Sequence, residues 1–298
     1  MSSLIDVALD QLAPPSAAET ERLPLVRRIR SDRLLMAGIV LLVLMLLLAF
    51  VVPLLLPPSD EIHPDAVLEG PSAGHLLGSD PFGRDLFSRL AEGMRTSLIL
   101  GLASVTGAAL VGVPIGLVAG LQGGWLDATL MRMLDALLAF PVLLMSLFVV
   151  VALGPSTLHL AIAIAFVFIP YFARLTRSEA RELRSAAFVE AATCYGTPGW
   201  RTMFGVVLPN ASGPIAVQLS LSVGVAILAE ASLSFLGLGV QPPSAALGLM
   251  LNDSQIYLGN FPWYSLVTGL AIVMLVLTFV LLGDGIRDVL SPRRAEER

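Results

Sequence analysis

The chain is long, apolar and poor in charge. It has 298 residues, of which 56% are hydrophobic and 14% are charged, and its net charge is −5; the mean hydropathy is +0.83. A soluble domain carries about 25% charged residues, so this composition predicts an integral membrane protein. The acidic balance excludes a basic surface for nucleic acid. The single cysteine, Cys194, excludes an internal disulfide and a clustered-cysteine metal site.

All 18 basic residues are arginine. A phosphate-binding loop of the GxxxxGK[ST] type and a Schiff base both need lysine, so this chain can contain neither. The three histidines are His63, His75 and His159, and none belongs to an HExxH motif. We therefore predict no catalytic residue, no metal site and no cofactor in this chain, which disfavours a membrane enzyme.

The N-terminal part predicts a tail followed by one membrane span. Residues 1–33 are polar and carry five arginines, and residues 34–59 form a charge-free run of 26. A helix rises about 1.5 Å per residue, so this run can cross a hydrocarbon core of ~30 Å. We predict the first transmembrane helix over residues 34–58, ending at Pro57-Pro58.

Residues 59–95 form a mixed polar segment that we predict to be an extracytoplasmic loop. Apolar residues recur every four positions at its end, which predicts an amphipathic helix over residues 85–98 at the membrane interface; they are Leu86, Leu90, Met94 and Leu98. Asp80 and Asp85 lie among glycine and proline, a composition that favours a turn and a helix N-cap over a metal site.

Residues 96–288 predict five further spans, followed by a C-terminal tail over residues 289–298. The apolar stretches cover residues 96–126, 136–173, 211–239 and 265–283, and Glu230 is the one formal charge within them. The second stretch holds two spans joined at Gly154-Pro155-Ser156. Four glycines in span two predict close helix packing; they are Gly101, Gly107, Gly112 and Gly116. Asp127 and Asp135 flank Arg132, which predicts local charge balance.

Arginine placement predicts the orientation. With a cytosolic N-terminus, six spans place fifteen of the 18 arginines inside and leave Arg84, Arg89 and Arg95 outside. By the positive-inside rule, both termini and the loop over residues 176–212 are cytosolic.

That loop predicts two short helices around a tight turn. Phe188 to Tyr195 contains good helix formers, and Gly196 is the residue expected in a left-handed C-cap. Thr197 is a candidate N-cap, and Pro198 fits the first turn of a second helix. We expect Pro209 to end that helix.

The same loop resembles the signature loop of ABC-importer permeases. The pattern is Glu-Ala-Ala-x3-Gly-x9-aliphatic-x-Leu-Pro, and this chain matches it at Glu190, Ala191, Ala192, Gly196, Val206, Leu208 and Pro209. The aliphatic residue is usually Ile, so Val206 is a mild departure. The resemblance implies that these seven residues couple the permease to an ATPase.

Four other stretches resemble the dipeptide, oligopeptide and nickel branch of these permeases, in particular the C-type member of the pair. They are HLLGSDPFGRDLFSRL from His75, GGWLDATLMRMLDALLAFP from Gly123, EASLSFLGLGVQPP from Glu230 and LLGDGIRDVLSPR from Leu281. The resemblance implies the type I ABC-importer permease fold: all-α, with six transmembrane helices and a cytosolic coupling helix between spans four and five.

The resemblance also implies the partners. A second, homologous permease would complete a heterodimeric pore, two cytosolic ATPase subunits would bind ATP and Mg²⁺, and an extracytoplasmic solute-binding protein would deliver the solute. The site of action would be the bacterial inner membrane. Peptides are the expected cargo, and nickel or another small solute is the alternative.

Glu230 is the one formal charge between Arg201 and Asp253. An acidic residue inside a span is a functional candidate by default and would fit a self-sufficient secondary transporter, the second alternative. Because Glu230 lies in a stretch that the resemblance covers, we expect a structural, pore or gating role rather than substrate selection.

Overall fold

A computed structural model describes residues 32–290, and the predicted tails fall almost wholly outside this range. Within it the chain is helical and forms no strand, apart from one isolated bridge between Ser79 and Asp85. The helices are α1 Arg33–Phe50, α2 Val52–Leu55, α3 Leu86–Gln122, α4 Gly124–Leu138, α5 Val142–Leu153, α6 Thr157–Leu183, α7 Ala187–Cys194, α8 Gly199–Arg201, α9 Leu208–Phe235, α10 Leu247–Gln255 and α11 Pro262–Leu290. A 3₁₀ turn covers Pro64–Ala66, and a π-helical turn covers Thr202–Val207.

Five helical segments of the described chain are long and apolar enough to cross a membrane, and the count rises to six when a bent pair is included. The bent pair is α4 and α5, whose axes meet at 89°. Pro141 lies at the break with ψ 135°, and a proline disfavours helical geometry in the residue before it. The prediction of an all-α protein with six spans is thus confirmed when α4 and α5 count as one span.

The first span begins and ends on local signals. The carboxylate of Asp32 caps α1 by accepting the N–H of Leu35 at 2.8 Å. The helical segment of α1 and α2 covers Arg33–Leu55, so it ends slightly before the predicted limit at residue 58. Leu56 then takes an extended conformation, as expected for a residue that precedes proline.

The expected interfacial helix over residues 85–98 is instead the first part of α3, a single helix of 37 residues. Asp85 is its N-cap and accepts the N–H of Ser88 at 2.7 Å. The apolar stripe faces protein rather than lipid: Leu86, Leu90 and Leu98 are 0%, 5% and 1% exposed. The four-residue spacing of these leucines therefore marks a helix face buried in protein. A helix lying at the membrane interface would show the same spacing, so the sequence alone does not distinguish the two.

The loop before α3 is fixed by a buried ion pair. Asp80 is fully buried and accepts the Nε–H of Arg84 at 2.6 Å. The Nε atom of Arg89, on α3, lies 3.4 Å from the same carboxylate, and the indole of Trp263 donates to the carbonyl of Leu77 at 2.9 Å. The predicted turn at Asp80 is thus fastened to both α3 and α11.

The helix pair α3 and α6 forms the centre of the core, and small residues set its spacing. A Cβ atom at Gly112, Gly116 or Gly120 would come within 2.6 Å of a backbone oxygen of α6. Such contacts are possible only for glycine, so the prediction of close packing in span two is confirmed at Gly112 and Gly116. This pair extends toward the loop that carries α7.

Candidate coupling site

The helix α7 ends in a Schellman motif centred on Gly196. The N–H of Thr197 donates to the carbonyl of Ala192, and the N–H of Gly196 donates to that of Thr193, each at 3.0 Å. Gly196 has φ +70°, a conformation that glycine adopts at little cost. The predicted cap is confirmed, and it fixes where the chain leaves α7.

The second half of the loop differs from the prediction in two ways. Pro198, rather than Thr197, is the N-cap, and α8 begins at Gly199. Pro209 does not end the helix, because α8, the π-helical turn and α9 run on as one segment from Gly199 to Phe235. Pro209 lies in the first turn of α9, where its missing N–H is tolerated after the wider turn.

Four aromatic side chains of this loop are exposed on the surface of the permease. Phe188 and Tyr195 on or beside α7 are 44% and 87% exposed, and Trp200 and Phe204 on the following helical segment are 62% and 43% exposed. We call these four residues the aromatic surface. Aromatic residues are enriched in protein–protein interfaces relative to the rest of the surface. The sequence analysis missed this surface, although all four aromatics are visible in the loop.

One apolar side chain anchors α7 to the rest of the protein. Val189 is 4% exposed and belongs to the main hydrophobic core, whereas Glu190 and Ala191 beside it are exposed. Glu190 lies in the first turn of α7, where a negative charge interacts favourably with the helix dipole. The helix packs mainly on the π-helical turn, so α7 is held on one side and free on the other.

Two ion pairs hold α4 against the C-terminal end of α6, which is the end predicted to be cytosolic. Both guanidinium contacts of Arg177 reach Asp127, with N···O distances of 2.5 and 2.6 Å. Arg174 lies 2.9 Å from Asp135. The predicted charge balance of the two aspartates is therefore confirmed, but their partners are arginines of α6 rather than Arg132 of their own helix.

Glu230 is fully buried where α9 meets α3. One carboxylate oxygen accepts the hydroxyl of Ser97, on α3, and the other accepts that of Ser234, one turn along α9; both distances are 2.7 Å. A buried carboxylate needs such donors. Its contacts are those of a link between two helices, and Ser97 is the partner that the sequence did not reveal.

Comparison with known proteins places the chain in a family. Residues 112–296 match the family described as "Binding-protein-dependent transport system inner membrane component". The chain belongs to this family. In addition, residues 25–71 match "N-terminal TM domain of oligopeptide transport permease C", which places this permease in the C-type oligopeptide branch and confirms the predicted family.

Individual relatives agree with this assignment. The permease is 42% identical over 268 residues to a dipeptide transport system permease protein DppC of Alkalihalophilus pseudofirmus, covering 90% of this chain and 88% of the relative. It is 39% identical to a glutathione transport system permease protein GsiD of Pectobacterium atrosepticum, covering 90% and 89%. The solved inward-facing MetNI methionine ABC transporter shares the fold, with a TM-score of 0.57 at 17% identity, over 67% of this chain and 95% of that one.

The seven signature residues of the permease lie on both sides of the turn. Glu190, Ala191 and Ala192 are on α7, and Gly196 caps it. Val206 is in the π-helical turn, and Leu208 and Pro209 begin α9. Because α7 packs on the π-helical turn, the seven motif residues belong to one structural unit. Its role in coupling stays a prediction.

Proposed function

We propose that this ABC-importer permease forms half of a heterodimeric pore and carries peptides across the inner membrane. The observation that carries the proposal is the unit made of α7, its Gly196 cap and the aromatic surface. Relatives that share about two fifths of the residues are described as dipeptide and glutathione permeases. Peptides are therefore the best-supported cargo, with nickel or another small solute as the alternative.

The partners are those that the family resemblance implies, and the chain itself has no lysine for a GxxxxGK[ST] nucleotide-binding loop. Two cytosolic ATPase subunits bind ATP and Mg²⁺, and one of them receives α7 in a groove. The aromatic surface supplies apolar contact area there, and Val189 keeps α7 attached to the permease core. A solute-binding protein delivers peptides at the opposite face, where residues 60–65 and 69–74 are exposed. Both termini of the permease are cytosolic.

Coupling then depends on how α7 joins the spans. It follows α6 after three residues, and the turn at Gly196 leads through the π-helical turn into α9. When the ATPases close, α7 moves as a rigid piece and tilts α6 and α9, which turns the pore outward. The motion requires that the open and closed ATPases contact α7 with different free energies, because equal contact would leave the equilibrium between the inward- and outward-facing pore unchanged.

Cys194 provides a direct test. It is the only cysteine of the chain and is exposed at the end of α7. In inside-out vesicles, a thiol-directed cross-linker should join Cys194 of the assembled transporter to an ATPase subunit, and nucleotide trapping should change the yield. Cys194→Ser is the matched control and should remove the product. The proposal fails if a membrane-impermeant thiol reagent labels Cys194 from outside spheroplasts, or if Cys194 cross-links only to the solute-binding protein.

The cargo needs a separate experiment. Proteoliposomes that contain the complete transporter and its solute-binding protein should accumulate labelled dipeptides when ATP is supplied on the ATPase side. Uptake of nickel or another solute in place of every dipeptide would reject the peptide assignment and leave the coupling role intact.

A further inference from the structure

A cleft of about 420 Å³ lies at the outer end of α3. Its walls are the end of α2, the following segment over residues 56–60, the first turns of α3 and Pro243-Ser244 from the loop after α9. Three charged residues line it, namely Asp60, Glu92 and Arg95. The cleft therefore presents two negative groups and one positive group next to apolar walls, a mixture that favours a zwitterion.

These charges are available to a ligand. Among the ion pairs within 4.0 Å in residues 32–290, none involves Asp60, Glu92 or Arg95. The guanidinium of Arg95 rests 5.5 Å from the ring centre of Phe50, and one oxygen of Glu92 accepts the hydroxyl of Ser59. Both charged groups keep unused hydrogen-bonding capacity, since a guanidinium has five N–H donors and a carboxylate has two acceptor oxygens.

The order of groups along α3 identifies the kind of zwitterion. Residues spaced by three or four share one face of a helix. Glu92 and Arg95 lie on one face, which continues inward as Ile99, Leu102 and Leu110, exposed by 48%, 44% and 72%. From the end of the helix toward the bilayer centre, this face thus carries an acid, a base and an apolar stripe. The acid and the base are about 4.5 Å apart along the axis.

We propose that the cleft binds the headgroup of phosphatidylethanolamine. The order in the lipid, from water inward, is ammonium, phosphate and acyl chains. The ammonium donates hydrogen bonds to the carboxylates of Glu92 and Asp60. The phosphate accepts hydrogen bonds from the guanidinium of Arg95, and one acyl chain lies along Ile99 and Leu102. Phosphatidylcholine offers no N–H group to the carboxylates, and phosphatidylglycerol offers no cation. The proposal requires only that α3 crosses a bilayer, so it stands or falls independently of the coupling role.

A methylation series tests the lipid without changing the protein. The assembled transporter is purified in detergent and incubated with an equimolar mixture of phosphatidylethanolamine, its mono- and dimethyl derivatives and phosphatidylcholine, and native mass spectrometry counts the retained lipids. Retention should fall with each methyl group, and phosphatidylethanolamine should exceed phosphatidylcholine by about tenfold, as expected for hydrogen bonds to a charged acceptor. Equal retention of the four lipids overturns the proposal.

Variants then locate the site. Glu92→Gln should reduce the preference for phosphatidylethanolamine over phosphatidylcholine by about tenfold, and Arg95→Gln should weaken retention of both lipids. Arg132→Gln, which removes an exposed arginine from α4, is the control and should retain both as the parent protein does. An unchanged preference in Glu92→Gln contradicts the assignment. So does displacement of the lipid by a dipeptide, which would make the cleft a peptide site.

Discussion

Replacement of Gly196 is the most direct test of how the coupling unit works. Its φ of +70° costs a residue with a Cβ atom about 1–2 kcal/mol. No heavy atom lies within 4 Å of a Cβ built at this position, so steric contact adds nothing to the penalty. The substitution therefore destabilises only the Schellman turn. A free-energy change of this size alters the equilibrium between the capped and uncapped turn by about 5–30-fold.

The expected result is loss of coupling with normal assembly. Asn tolerates the left-handed conformation better than Ala, and Val adds a stiff branch at Cβ. Uptake per ATP hydrolysed in proteoliposomes should therefore fall in the order Gly196, Gly196→Asn, Gly196→Ala, Gly196→Val, while the amount of transporter in the membrane stays constant. Both quantities are measured on the same preparation, by labelled peptide and by phosphate release.

Gly199 supplies the matched control in the same loop. It also has open space around its Cβ position, but its φ is not positive. Gly199→Ala should therefore couple as the parent does. Equal coupling by Gly196→Val and the parent would refute the reasoning, and so would a loss in Gly199→Ala as large as that in Gly196→Val.

Four further predictions concern the contacts around this unit. Trp200→Ala should leave the thermal stability of the permease unchanged, because the side chain is 62% exposed, and should weaken retention of the ATPase in pull-downs by about 30-fold, as for an interface hot spot. Glu230→Gln keeps hydrogen-bonding groups and should keep uptake, whereas Glu230→Ala should lower stability by ~1–3 kcal/mol; abolished uptake in Glu230→Gln would indicate gating instead. Asp127→Asn should destabilise the α4–α6 contact, and the double variant with Arg177→Gln should recover part of the loss in a thermal double-mutant cycle. Gly116→Val should prevent a monodisperse complex in size-exclusion chromatography, because its Cβ would lie 2.4 Å from the carbonyl oxygen of Ala173.

The features that the sequence predicted are those with a local cause. Charge-free runs of sufficient length identify spans, and a glycine after a helical stretch identifies a left-handed cap; both rules need only neighbouring residues. Gly196 and the charge-free run after Arg33 were therefore correctly interpreted. The same holds for Gly112 and Gly116, where the absence of a Cβ permits contact with whichever helix comes near.

The features that the sequence did not predict have distant causes. Arg177 and Asp127 are fifty residues apart, and nothing near Asp127 indicates that its partner is on α6 rather than at Arg132. Proline in an isolated helix would end it, but here the helical segment continues past Pro209 because a π-helical turn precedes it. For Glu230, the sequence indicated an unusual buried acid, and only the packing of α9 on α3 identified Ser97 as its donor.

These long-range contacts also bear on the proposed coupling, in which motion of α7 reaches the membrane. The glycine contacts bring the backbones of α3 and α6 together, so we expect this pair to move as one body. The contact between Arg177 and Asp127 joins α4 to the pair. On the other side of Gly196, α9 is joined to α3 by the hydrogen bond between Glu230 and Ser97. In the proposed coupling, a displacement of α7 acts on two parts that already pack against each other, so we expect them to rotate about these contacts rather than to separate.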